Sequence, residues 1–143
     1  MSVQPHLLRA RKEILFGLKL AAVMIGGALL LALARKQGWV DGEQVLRANN
    51  VIIGLALAAF SNLMPKRLYG SPRSVHHATL AQAVVRVSGW TMTLAFLTWA
   101  ALWAFAPLEL ASIVSVAAVV ASVAVSLGYA VWKDAACRRS RRD

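Results

Sequence analysis

Four long apolar runs constrain the fold of this 143-residue chain more than any other feature. They are Ile14–Ala34, Val51–Met64, Val87–Ala106 and Leu110–Trp132. About 20 apolar residues in a helix cross the roughly 30 Å hydrocarbon core of a bilayer, and a hydrophobic share of 59% exceeds that of soluble domains. The sequence therefore predicts an all-α polytopic membrane protein, a four-helix transmembrane bundle with spans at about 14–34, 47–64, 84–106 and 109–132.

The basic residues lie unevenly around these spans. Of the 16 Lys and Arg, thirteen lie at the start of the chain, between the second and third runs, or after the fourth. The other three, Arg35, Lys36 and Arg47, lie between the first and second runs. Loops rich in Lys and Arg stay in the cytoplasm, so we expect a multi-pass protein of the cell inner (plasma) membrane. Both termini and the loop 65–83 are then cytoplasmic.

A protein with a net charge of +10 could bind either nucleic acid or anionic lipid. The basic residues flank the spans on one side and have no interleaved aromatic residues, which favours a bilayer with anionic headgroups and argues against nucleic acid. We expect the tail 134–143 to be disordered, with its arginines on the inner leaflet.

The first run also resembles a secretory signal. Basic residues precede it, and Ala32-Leu33-Ala34 imitates a cleavage site. The run is longer than the usual signal core of roughly 7 to 15 residues, which favours an uncleaved anchor. Cleavage, with a mature start at Arg35, is the alternative.

Tryptophans mark the expected membrane interfaces. Trp39, Trp103 and, somewhat deeper, Trp99 fall toward the outer interface, and Trp90 and Trp132 fall toward the inner one. Such aromatic belts are typical of membrane helices.

The loop 65–83 carries the longest polar segment. Ser74 can cap a helix that begins at Val75 and continues into the third span. His76 and His77 are adjacent and lie about 100° apart on such a helix, so they do not converge on one metal as an i, i+4 pair would. We interpret them as interfacial histidines, with metal binding and pH sensing as alternatives.

Lys19 is the one ionisable residue that falls inside a predicted hydrocarbon core, since Glu13 and Glu109 lie at span starts. Charged groups at such depth are functional candidates. Its stem is long enough to reach the inner interface, which is the interpretation we favour. The alternatives are an ion pair with Glu13 or a buried functional charge.

Two spans carry helix faces of small residues. In the fourth, Ala111, Ser115, Ala118, Ser122 and Ser126 recur every three or four residues, and in the second, Asn50, Gly54, Ala58 and Asn62 recur at fours. Such faces let helix backbones approach closely in lipid, and asparagine amides can bond across helices. We predict helix packing within the chain or in a homo-oligomer. A polar substrate path lined by Asn50, Asn62, Ser61 and Thr91 is the alternative.

One region resembles a known family. The segments 61–66 (SNLMPK), 69–74 (YGSPRS) and 86–90 (RVSGW) are similar to the loop of bacterial Sdp-immunity-type membrane proteins, where Asn-x-x-Pro at a span end leads to a Gly- and Pro-containing loop and a span that opens with a small residue. The resemblance implies a non-enzymatic inner-membrane protein that confers resistance to a membrane-active toxin or sequesters a regulator. The matching residues are Asn62, Pro65, Gly70, Arg73 and Gly89.

These observations favour a non-enzymatic binding protein, an immunity, regulatory or accessory subunit, acting through helix packing and its basic cytoplasmic loop. We expect a homo-oligomer or a membrane-protein partner and no cofactor. The alternative is a small four-helix transporter of a small or amphipathic solute. The candidate residues are Lys19, Asn50, Asn62, Pro65, Gly70, Arg73, His76, His77 and Gly89.

Overall fold

The computed structural model describes residues 5–63 and 75–139, and the regular structure in these ranges is entirely α-helical. Helix α1 spans Pro5–Lys36, α2 Gly42–Leu63, α3 Val75–Phe105 and α4 Leu108–Arg139. The all-α prediction, with one helix for each apolar run, is confirmed.

Three segments in the described part of the chain are long and apolar enough to cross a membrane. They are Ile14–Lys36, Gly42–Leu63 and Leu108–Cys137. Helix α3 is not among them, although it is also long. Its apolar run contains four residues with hydroxyl groups, Ser88, Thr91, Thr93 and Thr98. The chain is thus a helical protein with three apolar helices consistent with membrane spans.

Local sequence signals end and start the helices. Gly38 follows α1 with a positive φ of 75°, which suits glycine. Before α2, the Gln44 backbone N–H donates to Asp41 Oδ1 (2.8 Å), and the Asp41 N–H donates to Gln44 Oε1 (3.1 Å). This reciprocal capping box sets the start of α2. Pro107 separates α3 from α4.

The helices form an open row in chain order. Contacts join α1 to α2, α2 to α3 and α3 to α4, and in the described ranges no other helix pair meets. The predicted bundle is therefore not closed, because α1 and α4 lie at opposite edges. The core lies among α2, α3 and α4, and it is built from small residues and one tryptophan: Ala56, Ala58, Ala95, Ala100, Trp103 and Ala111.

Two helices extend beyond the apolar runs. Helix α3 begins at Val75, so the predicted helix within the loop 65–83 does run into the third apolar run. Helix α4 continues to Arg139, and the predicted disorder is wrong for 134–139. This stretch contains alanine and arginine, which are strong helix formers, and no Gly or Pro to stop the helix.

Candidate functional site

The predicted small face of α4 packs against α3. Ala111, Ser115, Ser122 and Ser126 are buried, and Ala118 is half-buried. The small side chains let α3 approach closely, as predicted.

Hydroxyl groups on this face bond across to α3. The Trp103 indole N–H donates to Ser115 Oγ (3.3 Å), and Ser126 shares a hydrogen bond with Thr91 (3.0 Å between hydroxyl oxygens). Ser115 is fully buried, at 0% exposure. Trp103 is also buried, and its indole N–H faces α4. Its predicted depth near a membrane interface stays a prediction.

The second small face, on α2, packs against α3 through its two smallest members. Gly54 and Ala58 are buried. A Cβ at position 54 would lie 3.0 Å from Trp99 Cδ1 and 3.1 Å from the backbone N of Ala100, so only glycine fits without movement. The two helices therefore approach each other closely at Gly54.

The asparagines of the α2 face do not bridge helices. The Asn50 amide donates to the Leu46 carbonyl of its own helix (2.9 Å), and Asn62 is exposed. Ser61 is buried, whereas Thr91 is bonded to Ser126 in the separate interface between α3 and α4. The four residues of the predicted polar path do not come together.

Arg47 has a role that the sequence pattern did not reveal. Its Nη1 donates to the carbonyls of Ala106 (2.7 Å) and Trp103 (3.3 Å), and its Nε donates to Glu43 Oε1 (2.9 Å). Carbonyls at the C-terminus of a helix have no partner within it, and a cation there also complements the helix dipole. Arg47 thus joins α2 to the end of α3. The sequence signal for the orientation of the Arg47 side chain was Glu43, four residues earlier on the same helix.

Two of the other sequence-predicted residues have described surroundings. Lys19 is exposed on α1. Gly89 is buried in α3, where its carbonyl accepts a hydrogen bond from Thr93 Oγ1 (2.7 Å).

The remaining candidate residues lie outside the described residues, or only their backbone is described. Pro65, Gly70 and Arg73 lie outside the described residues. His76 and His77 lie in the first turn of α3, and their side chains, like that of Glu13, are not described. The ion pair predicted between Lys19 and Glu13 therefore stays a prediction.

A second stripe of small residues lies on α4, and it is exposed. Its members are Ala117, Ala121, Ala124 and Gly128, and around Gly128 a Cβ would meet nothing within 4 Å. At 100° per residue, this stripe lies roughly 130° around the helix from the face that packs on α3. Exposed branched side chains border it, among them Ile113, Val120 and Val125. We call these four small residues the outer α4 stripe.

Two grooves lie at opposite ends of the row. One, of about 410 Å³ between α1 and α2, is lined by Ala28, Leu31, Arg35, Gly42, Val45, Leu46 and Asn49. The other, of about 360 Å³ between α3 and α4, is lined by Gln82, Ala83, Arg86, Val87 and Tyr129. Each combines an arginine with apolar walls.

Comparison with family models, with curated proteins and with solved structures finds no match. The resemblance of residues 61–90 to the Sdp-immunity-type loop therefore stays a prediction.

Proposed function

We propose that this protein is a non-enzymatic binding protein of the cell inner membrane, an immunity, regulatory or accessory subunit. It works by packing the outer α4 stripe against another membrane helix, from a second copy or from a partner protein. The observation that carries the proposal is the position of this stripe on an edge helix. Helix α4 contacts only α3 among the described helices and keeps a second small face uncovered.

The apolar surface supports a membrane location. Large side chains along both edge helices are mostly exposed, including Leu30 (69%), Ile113 (70%) and Val131 (70%). Soluble monomers rarely expose contiguous apolar surface of this kind. Helix α3 lies between α2 and α4, which supports a position in the bilayer beside them. The distribution of the basic residues supports cytoplasmic termini.

The outer α4 stripe has the features of a helix interface and not of a lipid-facing surface. In lipid there is little hydrophobic drive between helices, so they associate where small residues let backbones approach and gain van der Waals contact. The same helix shows this on its other side, where Ser115 and Ser122 are covered by α3. Gly128 offers open backbone next to the exposed side chains of Leu127 and Val131.

Substitution of the stripe tests the proposal. Ala121→Leu and Ala124→Leu place bulky groups on the outer α4 stripe. Val123→Leu is the control because it enlarges an exposed residue about 130° around the helix from the stripe. Purified protein carrying donor or acceptor dyes is reconstituted in liposomes, and energy transfer is measured against protein density. We expect the double variant to lower self-association at least tenfold while the control does not.

A partner protein gives a different pattern in the same test. Purified protein then shows no self-association, and co-purification from native membranes of one membrane protein, lost in the double variant and kept in the control, supports the proposal. Equal self-association and equal co-purification for all variants would contradict it.

A further inference from the structure

The groove between α3 and α4 lies near the start of α3, at the opposite end of that helix from the carbonyls that Arg47 contacts. Arg86 and Gln82 lie one turn apart on α3 and line one wall, and Tyr129 of α4 lines the other. Arg86 is exposed and Tyr129 is half-buried. The volume, about 360 Å³, is within the range of sites that hold part of a small ligand.

A second cation lies one turn beyond the groove. Lys133 Nζ is 5.8 Å from the ring centroid of Tyr129 and 5.4 Å from that of Trp132. The two rings are 5.9 Å apart and tilted by 47°. Both distances are within cation–π range, so the rings hold the ammonium group beside the groove. Tyr129 belongs to both features and connects Arg86 to Lys133.

In the described part of the chain the structure shows no ion pair between a carboxylate and Arg86 or Lys133. The ion pair that it shows there is Arg47 with Glu43, near the opposite end of α3. Arg86 in the groove and Lys133 beside it therefore supply two positive charges next to a phenol hydroxyl and apolar walls.

We propose that this groove binds the phosphate of an anionic phospholipid from the inner leaflet. A guanidinium group matches phosphate oxygens with two parallel hydrogen bonds. The ammonium group of Lys133 adds a second charge, and Tyr and Trp rings favour the headgroup layer. The apolar walls, Ala83 and Val87, continue along α3 toward the acyl chains. The inference rests on the membrane location in the proposed function and adds a ligand class and a site.

Lipid titration tests the site. The full-length protein in detergent is titrated with short-chain phosphatidylglycerol, phosphatidylcholine or inorganic phosphate, and bound molecules are counted by native mass spectrometry. The variants are Arg86→Gln, Lys133→Gln and the double variant. Lys12→Gln is the control, because it removes the same charge from an exposed position on α1. Circular dichroism checks that each variant keeps its helix content.

We expect one phosphatidylglycerol to bind the wild type more tightly than phosphatidylcholine. Each single variant should bind it about fivefold more weakly, since a basic residue near an anionic headgroup contributes about 1 kcal/mol. The control should bind as the wild type does. Equal binding by the wild type and the double variant would overturn the site. Inorganic phosphate that binds as tightly as the lipid would overturn the headgroup assignment.

Vesicle insertion separates this inference from the proposed function. A wild type that does not insert into bilayers would contradict the membrane location and the site together. The site alone would be contradicted if the wild type inserts and associates through α4 normally, but the Arg86→Gln/Lys133→Gln variant binds phosphatidylglycerol as tightly as the wild type.

Discussion

The close approach of α2 and α3 at Gly54 predicts that Gly54→Ala lowers the free energy of unfolding. In Gly54→Ala the new methyl group would lie 3.0 Å from Trp99 Cδ1 and 3.1 Å from both the Cβ and the backbone N of Ala100. The backbone N cannot yield unless α3 moves as a whole. Overpacking of this kind costs about 1 to 3 kcal/mol. Alanine recovers about 0.5 to 1 kcal/mol of helix propensity, so we expect a net loss centred on about 1 kcal/mol and at most about 2.5 kcal/mol.

Gly26→Ala is the matched control. Position 26 is also inside a helix, but a Cβ there would meet nothing within 4 Å. It should therefore show only the propensity gain, about 0.5 to 1 kcal/mol of added stability. The assay is thermal unfolding of the purified protein in detergent, where 1 kcal/mol corresponds to a shift of about 2 to 4 °C for a chain of this size. A Gly54→Ala protein as stable as Gly26→Ala would refute the close approach.

Two further substitutions test the polar contacts of α3 by the same unfolding assay. Arg47→Gln removes the charged donor to the end of α3 and should cost about 1.5 to 3 kcal/mol, whereas Glu43→Gln, which removes only an exposed i, i+4 pair, should cost at most about 0.5 kcal/mol. A comparable loss for both would show that the ion pair matters and the carbonyl contacts do not. Ser115→Ala leaves the Trp103 indole N–H without its acceptor and should cost about 1 to 3 kcal/mol. The control Ser112→Ala, at an exposed position, should change stability little, and equal effects would contradict the buried hydrogen bond.

The helices and the packed face of α4 could be predicted because both depend on local patterns. Apolar runs of sufficient length form helices wherever they lie, and residues three and four apart, such as Ser115 and Ser122, share a face in any helix. Proline at 107 separates two helices irrespective of their packing. These features need no knowledge of which helices are neighbours.

The contacts that depend on helix rotation and order could not be predicted in this way. The partner of Arg47 is the end of α3, which lies 59 residues away in the chain. The sequence shows that Trp103 lies near the end of the third apolar run, but only the rotation of α3 turns its indole toward Ser115. The open order of the row depends on α1 not meeting α4, and a sequence pattern carries no sign of this.

The outer α4 stripe was visible in the sequence as Ala117, Ala121, Ala124 and Gly128, but so was the packed face. Both are rows of small residues at helical spacing. Only the structure shows that α3 covers one of them and leaves the other exposed, because this depends on which side of α4 faces its neighbour.

Disulfide crosslinking around α4 tests the proposed interface most directly. Single cysteines are placed in a Cys137→Ser background at positions 116, 117, 123 and 124, and intact membranes are oxidised. Adjacent positions lie at nearly the same depth but about 100° apart on the helix. If the outer α4 stripe meets another copy, Ala117→Cys and Ala124→Cys form dimers and Val116→Cys and Val123→Cys do not. Equal crosslinking at all four positions, or dimers only at 116 and 123, would contradict the proposed interface between copies.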